Sequence, residues 1–223
     1  MGKVVAKTLQ DAGAKVAMTY LESEDEIAEG TKGYPFNVLE EDSVRALLPA
    51  VVKDFGQVDG LVNMVSVFAT DSEAITFAEM EKTFGINAFG NMLLSRLFAE
   101  HAKSQGASGA PIVSFIDWAI DHPYADYDVY MGAKAALRHY LMALQTTFSG
   151  SIRVVNIHPG MILEPPGFLP DVKQSIMNNT PTKNIGSPEQ AAQLVKTAFE
   201  LDFLADNIYL SGGQQWRHRL REG

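Results

Sequence analysis

The feature that most constrains this chain is an alternation that runs its whole length. Short apolar runs at residues 14–20, 33–38, 58–65, 111–116, 152–158 and 207–210 are separated by stretches of helical character. The helical stretches fall at 3–12, 24–29, 41–55, 76–103, 129–148, 170–178 and 188–201. Strands written as continuous apolar runs are buried on both faces, and strands that alternate with helices pair in parallel. The pattern therefore predicts an α/β fold, a doubly wound parallel sheet in a single domain spanning 1–223. No internal repeat, low-complexity linker or domain boundary interrupts it.

Local signals support the element boundaries. Val44, Leu47, Leu48, Val51 and Val52 share one face of the helix at 41–55, and Gly13 and Gly56 close two of the helices. Ser187 and Pro188 stand where a helix cap and first turn belong. The helix at 76–103 is expected to bend or break near Gly85 or Gly90.

Composition narrows the function. A formal charge of −9 opposes binding to nucleic acid or an anionic membrane, and the basic Arg217, His218, Arg219 and Arg221 read as a solvated tail. The chain has no cysteine, and its five histidines are scattered without metal-ligand spacing. No apolar run is long enough to span a bilayer, and residues 1–20 lack the segments of a signal peptide. A cytoplasmic location is the expectation by elimination.

Open parallel sheets bind ligands outside the carboxyl ends of their strands, which directs attention to the residues after 65, 116 and 158. Asp117 follows the strand at 111–116, Tyr130 comes thirteen residues later and Lys134 four after that. On a helix, a spacing of four puts Tyr130 and Lys134 on one face. An ammonium near a phenol favours the phenolate and lowers its pKa, which would suit a proton donor to a carbonyl or imine. The spacing alone describes a solvated surface pair equally well.

The wider context is more specific. Tyr130-Met131-Gly132-Ala133-Lys134-Ala135-Ala136-Leu137 and Arg153-Val154-Val155-Asn156-Ile157-His158-Pro159-Gly160 resemble the short-chain dehydrogenase/reductase family. So do Ile86-Asn87-Ala88-Phe89-Gly90, Gly186-Ser187-Pro188-Glu189 and Leu210-Ser211-Gly212-Gly213, all in the family's order. The resemblance implies a Rossmann-like fold, with Tyr130 as general acid/base, Lys134 tuning it and holding the nicotinamide ribose, and Asn87 anchoring a proton-relay water. Most members carry serine where this chain has Asp117. That exchange, with the sequence Asp117-Trp118-Ala119-Ile120-Asp121-His122-Pro123, resembles the pteridine reductase and dihydromonapterin reductase branch. A carboxylate cannot polarise a carbonyl, but a carboxyl group can donate a proton or accept hydrogen bonds from an amino-heterocycle. In Asn63-Met64-Val65-Ser66-Val67-Phe68 the resemblance makes Phe68 the residue that stacks on a pterin. Pro159, Gly160 and Ile162 fall in the loop beneath nicotinamide and pterin.

The resemblance is weaker at the nucleotide end. Family members open on a strand and a loop Thr-Gly-x-x-x-Gly-x-Gly, whereas Met1-Gly2 stands at the loop's last glycine. A truncated or misassigned start is the favoured expectation. The alternatives are that the two flanking strands close together, or that another chain supplies the strand. Unpaired backbone groups on buried strands cost about 1–3 kcal/mol each, and weak NADPH binding is expected of this chain. Asn63, Tyr130 and Lys134 are the other expected cofactor contacts. Asn37 lies where an aspartate often meets adenine. Glu22 stands where the branch carries arginine for the NADP phosphate. The family implies NADPH, while Glu22 argues for NADH.

The reading that results is an NAD(P)H-dependent reductase of a pterin, a dihydropterin or dihydrofolate, in which Asp117, Tyr130, Lys134 and Asn87 handle protons and Phe68, Asp117 and Tyr130 hold substrate. Two alternatives stand beside it: a general carbonyl or enoyl reductase, and a non-catalytic relative acting as nucleotide sensor or assembly partner. No metal, nucleic-acid or membrane partner is expected. The family's helix pairing implies a homotetramer or homodimer, with Met92, Leu93, Leu97, Tyr140 and Leu144 serving either that interface or the core.

Overall fold

The computed structural model describes residues 1–164 and 167–219. The chain opens on helix α1 (Gly2–Asp11), which leads through Gly13 into strand β1 (Ala17–Tyr20). A 3-10 turn (Glu24–Glu26) precedes β2 (Lys32–Pro35), α2 (Glu41–Phe55) and β3 (Leu61–Asn63). Then come α3 (Phe77–Phe84), a π-helical turn (Gly85–Phe89), α4 (Gly90–Ser104), β4 (Ala110–Phe115) and α5 (Asp128–Thr147). The chain continues through β5 (Ile152–Pro159), α6 (Pro170–Asn179), α7 (Pro188–Glu200) and β6 (Asp206–Leu210) to a terminal 3-10 turn (Gln214–Arg219). The side chains of Arg217, His218 and Arg219, with Arg221 and Pro165, lie outside the described residues.

Every ladder is parallel, as the alternation predicts. β3, β4, β5 and β6 form one sheet in that order, and β1 pairs with β2 in a second. No ladder joins β1 to β3, so the alternative in which these strands close onto each other does not hold. The strands are also shorter than the apolar runs suggested, most clearly at β1 and β3. Apolarity extends beyond the hydrogen-bonded ladder because Val16 and Met64 pack against the core from outside it.

Alternation along β4 and β5 divides the core. Ile112, Ile116, Ile152 and Val154 pack with α4 and α5, whereas Val113, Phe115, Val155 and Ile157 pack with α1 and α7. All six residues of β4 are buried. A fully buried side chain of this type contributes about 1.5–3 kcal/mol, so this pair of strands anchors the molecule. A polar row crosses the α4/α5 face in register: Asn63 beside Ser114, Ser114 beside Asn156, Asn156 beside Asn207.

The helix expected at 76–103 is two helices joined by the π turn. Thr76 and Glu79 make a reciprocal capping box at the start of α3, and the turn falls at the glycines expected to break the run. Gly90 permits a close approach: a Cβ there would lie 2.3 Å from the Val38 carbonyl oxygen. Ser187 and Gln190 form a second capping box on α7, with Pro188 in its first turn. Leu144 is buried, and Met92, Leu93, Leu97 and Tyr140 pack against the hydrophobic clusters. All five pack against the core; among the described large apolar residues of α4, α5 and the π turn, Phe89 and Met142 are exposed.

Candidate active site

The carboxyl ends of β4 and β5 and the first turns of α5 converge on one cavity of about 480 Å³. Asp117 sits two residues past β4 and caps the 3-10 turn Trp118–Asp121, its side chain accepting from the Ala119 amide at 2.8 Å. Two phenols also donate to it: Tyr124 to Oδ1 at 2.9 Å and Tyr130 to Oδ2 at 3.2 Å. Oδ1 is thus held by two donors and Oδ2 by one, at a longer distance. The spacing of thirteen brings Asp117 and Tyr130 together because the 3-10 turn folds the chain back toward α5.

Asp117, Tyr130 and Lys134 are all buried. Burial pushes the Asp117 carboxyl above its usual range, and the Ala119 amide, the two phenols and the Lys134 charge only partly oppose that. Burial also raises the Tyr130 phenol, and the Asp117 charge and hydrogen bond add to the effect. The sequence expectation is that Lys134 lowers the phenol's pKa; in these surroundings burial and Asp117 act the other way. The Lys134 ammonium donates to the Phe115 carbonyl at 2.9 Å and lies 6.0 Å from the Tyr130 ring centre. Its own pKa falls to about 8 through burial, despite the Asp117 charge.

Phe68 borders the same cavity and is 52% exposed. Its ring stacks on Tyr127 at 4.4 Å and meets Tyr130 edge-on at 4.9 Å. The alternative for Phe68, simple core packing, does not describe a ring half open to the cavity and backed by a second aromatic. Pro159, Gly160 and Ile162 also line the cavity. Gly160 is packed so closely that a Cβ would lie 2.2 Å from Gln214 Oε1.

Asn87 is fully buried in the π turn. Its Oδ1 accepts from the Ser66 hydroxyl and the Val67 amide, and its Nδ2 has no partner among the described residues. Asn63 donates to Ser95 and Ser114 but leaves Oδ1 buried and unpaired. Near the cavity, Met1 lines the wall, and α1 opens at Gly2 with its Val4 and Val5 amides donating to the Met1 carbonyl.

Farther away, the expected nucleotide contacts are less well formed. Asn37 is spent locally: its amide donates to Glu40 and its Oδ1 accepts from the Leu39 amide. Glu22 is exposed in the turn after β1. Neither Glu22 nor Asn37 lines the cavity.

Sequence reasoning assigned no role to three residues of this site. Tyr124 and Tyr127 lie in the aromatic-rich approach to Tyr130. His158 is fully buried and contacts the Asp117 carbonyl through Nδ1 at 2.9 Å and Asn207 Oδ1 through Nε2 at 2.8 Å. The signal for the tyrosines was their density before Tyr130. For His158 it was a histidine inside an otherwise apolar strand.

Comparison with known proteins agrees with the fold. The family model described as enoyl-(acyl carrier protein) reductase matches residues 1–199. The 7alpha-hydroxysteroid dehydrogenase of Escherichia coli K12 is 25% identical over 205 residues, covering 86% of this chain and 80% of its own length. Glucose and ribitol dehydrogenase homolog 2 of Arabidopsis thaliana is 29% identical over 227 residues, covering 93% and 75%. Ligand-free Thermoplasma acidophilum aldohexose dehydrogenase superposes with a TM-score of 0.89 at 18% identity, covering 100% of this chain and 92% of its own. The NADPH-dependent 3-quinuclidinone reductase of Rhodotorula rubra superposes with a TM-score of 0.80 at 21% identity, covering 95% and 85%.

Proposed function

The chain belongs to the short-chain dehydrogenase/reductase family of NAD(P)-dependent oxidoreductases, and from that premise we propose that it reduces a pterin, of the dihydropterin or dihydrofolate kind. The observation that carries this reading is Asp117: a buried carboxyl group sharing a hydrogen bond with Tyr130 beside the open ring of Phe68. Oδ2 of Asp117 has room to accept from the amino or ring N–H groups of a pterin. The Phe68–Tyr127 pair offers a flat aromatic wall for its ring.

When bound, the dinucleotide supplies the hydride. Lys134 and Tyr130 hold its nicotinamide ribose, Pro159, Gly160 and Ile162 wall the ring, and Asn63 Oδ1 offers a buried acceptor. Because its pKa is raised, Tyr130 stays protonated at neutral pH and acts as an acid toward a ring nitrogen. Asp117 orients that nitrogen, and the free Nδ2 of Asn87 serves the relay that returns a proton to Tyr130. The exposed carboxylate of Glu22 favours NADH over the NADPH that the family resemblance suggests. Two or four copies would assemble through α4 and α5, where Phe89 and Met142 are exposed.

A second reading has its own support: the curated relatives are named for hydroxysteroid and sugar-alcohol substrates, which suggests an alcohol or ketone here. One assay separates the two. NADH and NADPH oxidation is followed with dihydrobiopterin, dihydrofolate and a simple ketone, in the wild type and in Asp117→Ser. Pterin turnover that Asp117→Ser abolishes is the expected result. Ketone turnover that Asp117→Ser leaves intact or improves would replace the pterin reading. A folded chain without any turnover would move the assignment to a non-catalytic nucleotide sensor.

A further inference from the structure

Asp117 is a buried carboxyl group held in place by the surrounding protein. Among the described residues it has three hydrogen-bond donors, two of them side chains. Tyr130 is the proton-handling phenol and cannot serve as a fixed support. That leaves Tyr124, half-buried in the largely exposed segment that connects the 3-10 turn to α5, whose hydroxyl donates to Oδ1 at 2.9 Å. Its ring is gripped on several sides. It meets Trp118 at 5.8 Å and 65°, Tyr127 at 5.7 Å and 78°, and Phe68 at 6.3 Å and 87°. Edge-to-face contacts of this kind favour one ring orientation, so the phenol is aimed at Oδ1 before any substrate arrives.

We propose that Tyr124 is a positioning residue, which pins Asp117 through Oδ1 so that Oδ2 faces Tyr130 and the cavity, and which holds the carboxyl group in its ionised form. The inference rests on Asp117 belonging to the site, but not on the substrate being a pterin. A hydrogen bond given to the charged form of an acid stabilises that form, and this one opposes the upward push that burial gives Asp117. The other titratable groups that face Asp117 are Tyr130 and Lys134 from α5, with His158 from β5 on its backbone carbonyl. Asp121 on the same turn is engaged elsewhere, by Arg138 and Tyr209. Tyr124 is therefore the support that can be removed without touching the proton-handling pair.

The test is a pH titration of aspartate carboxyl carbons by NMR, with the Asp117 signal identified by its loss in Asp117→Asn. In Tyr124→Phe the Asp117 midpoint should rise by about one pH unit or more, the worth of one lost hydrogen bond to a charge. In Tyr127→Phe, which keeps the ring packing and removes a hydroxyl that does not reach Asp117, it should stay put. An unchanged midpoint in Tyr124→Phe, or equal movement in both variants, would overturn the proposal. Should Tyr124→Phe not fold, the wild type still decides. The Tyr124 ring signals and the Ala119 amide must follow the Asp117 midpoint, and a flat Tyr124 response sinks the idea. Where turnover is measurable, the acidic limb of kcat/KM moves to higher pH in Tyr124→Phe by the same amount. The NMR result stands whether or not pterins are turned over, so failure of the substrate assignment remains distinguishable.

Discussion

The two sheets of this molecule are built to different standards. β4 and β5 are buried along nearly their whole length, share a six-pair parallel ladder, and end in Asp117 and in the Pro159–Gly160 wall. β1 is half-buried throughout, β2 has a single buried residue, and the two pair only with each other. The proposed proton-handling groups grow from the first kind of sheet: Asp117 after β4, and Tyr130 and Lys134 on the helix that packs over it. The expected adenosine contacts, Glu22 and Asn37, grow from the second, and they are exposed or hydrogen-bonded to their own turn. Precise placement of a reacting group needs a support whose own rotamers are locked by packing. The chain has that support at the β4–β5 cavity and not at the turns after β1 and β2.

The sharpest way to break this comparison is to strike the well-built side. Tyr130→Phe removes the acid while keeping the ring against Phe68, so turnover should fall by a factor of about 10²–10⁴, the usual worth of a positioned acid or base. Dinucleotide affinity, measured by calorimetry, should fall far less than turnover, by the worth of one hydroxyl contact to the ribose, about tenfold. A variant that keeps more than a tenth of its turnover would mean that Asp117 or the solvent supplies the proton.

A smaller effect compares the two sheets through one buried ring each. His158→Ala strips Asn207 and the Asp117 carbonyl of a buried partner, and leaves a hole where the ring stacked on Tyr209 at 4.6 Å. Each orphaned group costs about 1–3 kcal/mol, so the expected loss in urea unfolding is about 3 kcal/mol. Tyr34→Phe in β2 removes a phenol that donates to Asp54 at 2.7 Å. The same carboxylate keeps its ion pair with Lys32, so about 1 kcal/mol is expected. Equal losses would show that the two-stranded sheet is as tightly coupled to the fold as the four-stranded one.

How much of this was legible in the sequence follows the same division. The apolar runs at 111–116 and 152–158 became β4 and β5 almost residue for residue, because strands buried on both faces leave a continuous signal. The run at 58–65 became only three residues of strand, because its flanks pack as loop. The spacing of Asp117, Tyr130 and Lys134 located the site, but spacing carries no depth. It therefore suggested a lysine lowering the phenol, where burial and the Asp117 charge push the phenol up. Phe68 was found through its motif. Its backing by Tyr127 was not, because two rings that stack across sixty residues leave no periodic trace. The polar row from Asn63 to Asn207 was hidden for a related reason: each member reads alone as one polar residue in an apolar strand, and only the register lines them up.

The smallest expected effect lies on the loosely built side. Glu22 is exposed, and among the described residues it makes no ion pair. Reversing its charge therefore disturbs no internal contact, and acts only on whatever the turn after β1 faces. If that is the adenosine ribose, Glu22→Arg should move the ratio of NADPH to NADH affinity toward NADPH by about tenfold, or about 1.4 kcal/mol. Exposed charges seldom contribute more. The thermal midpoint should stay where it is, since no partner is lost. A ratio that does not move would detach this turn from the nucleotide altogether. The dinucleotide would then be held from the nicotinamide end alone, by Tyr130, Lys134 and the Pro159–Ile162 wall. A shift of a hundredfold would show the reverse: that ordering on binding gives the β1–β2 side a precision that it lacks on its own.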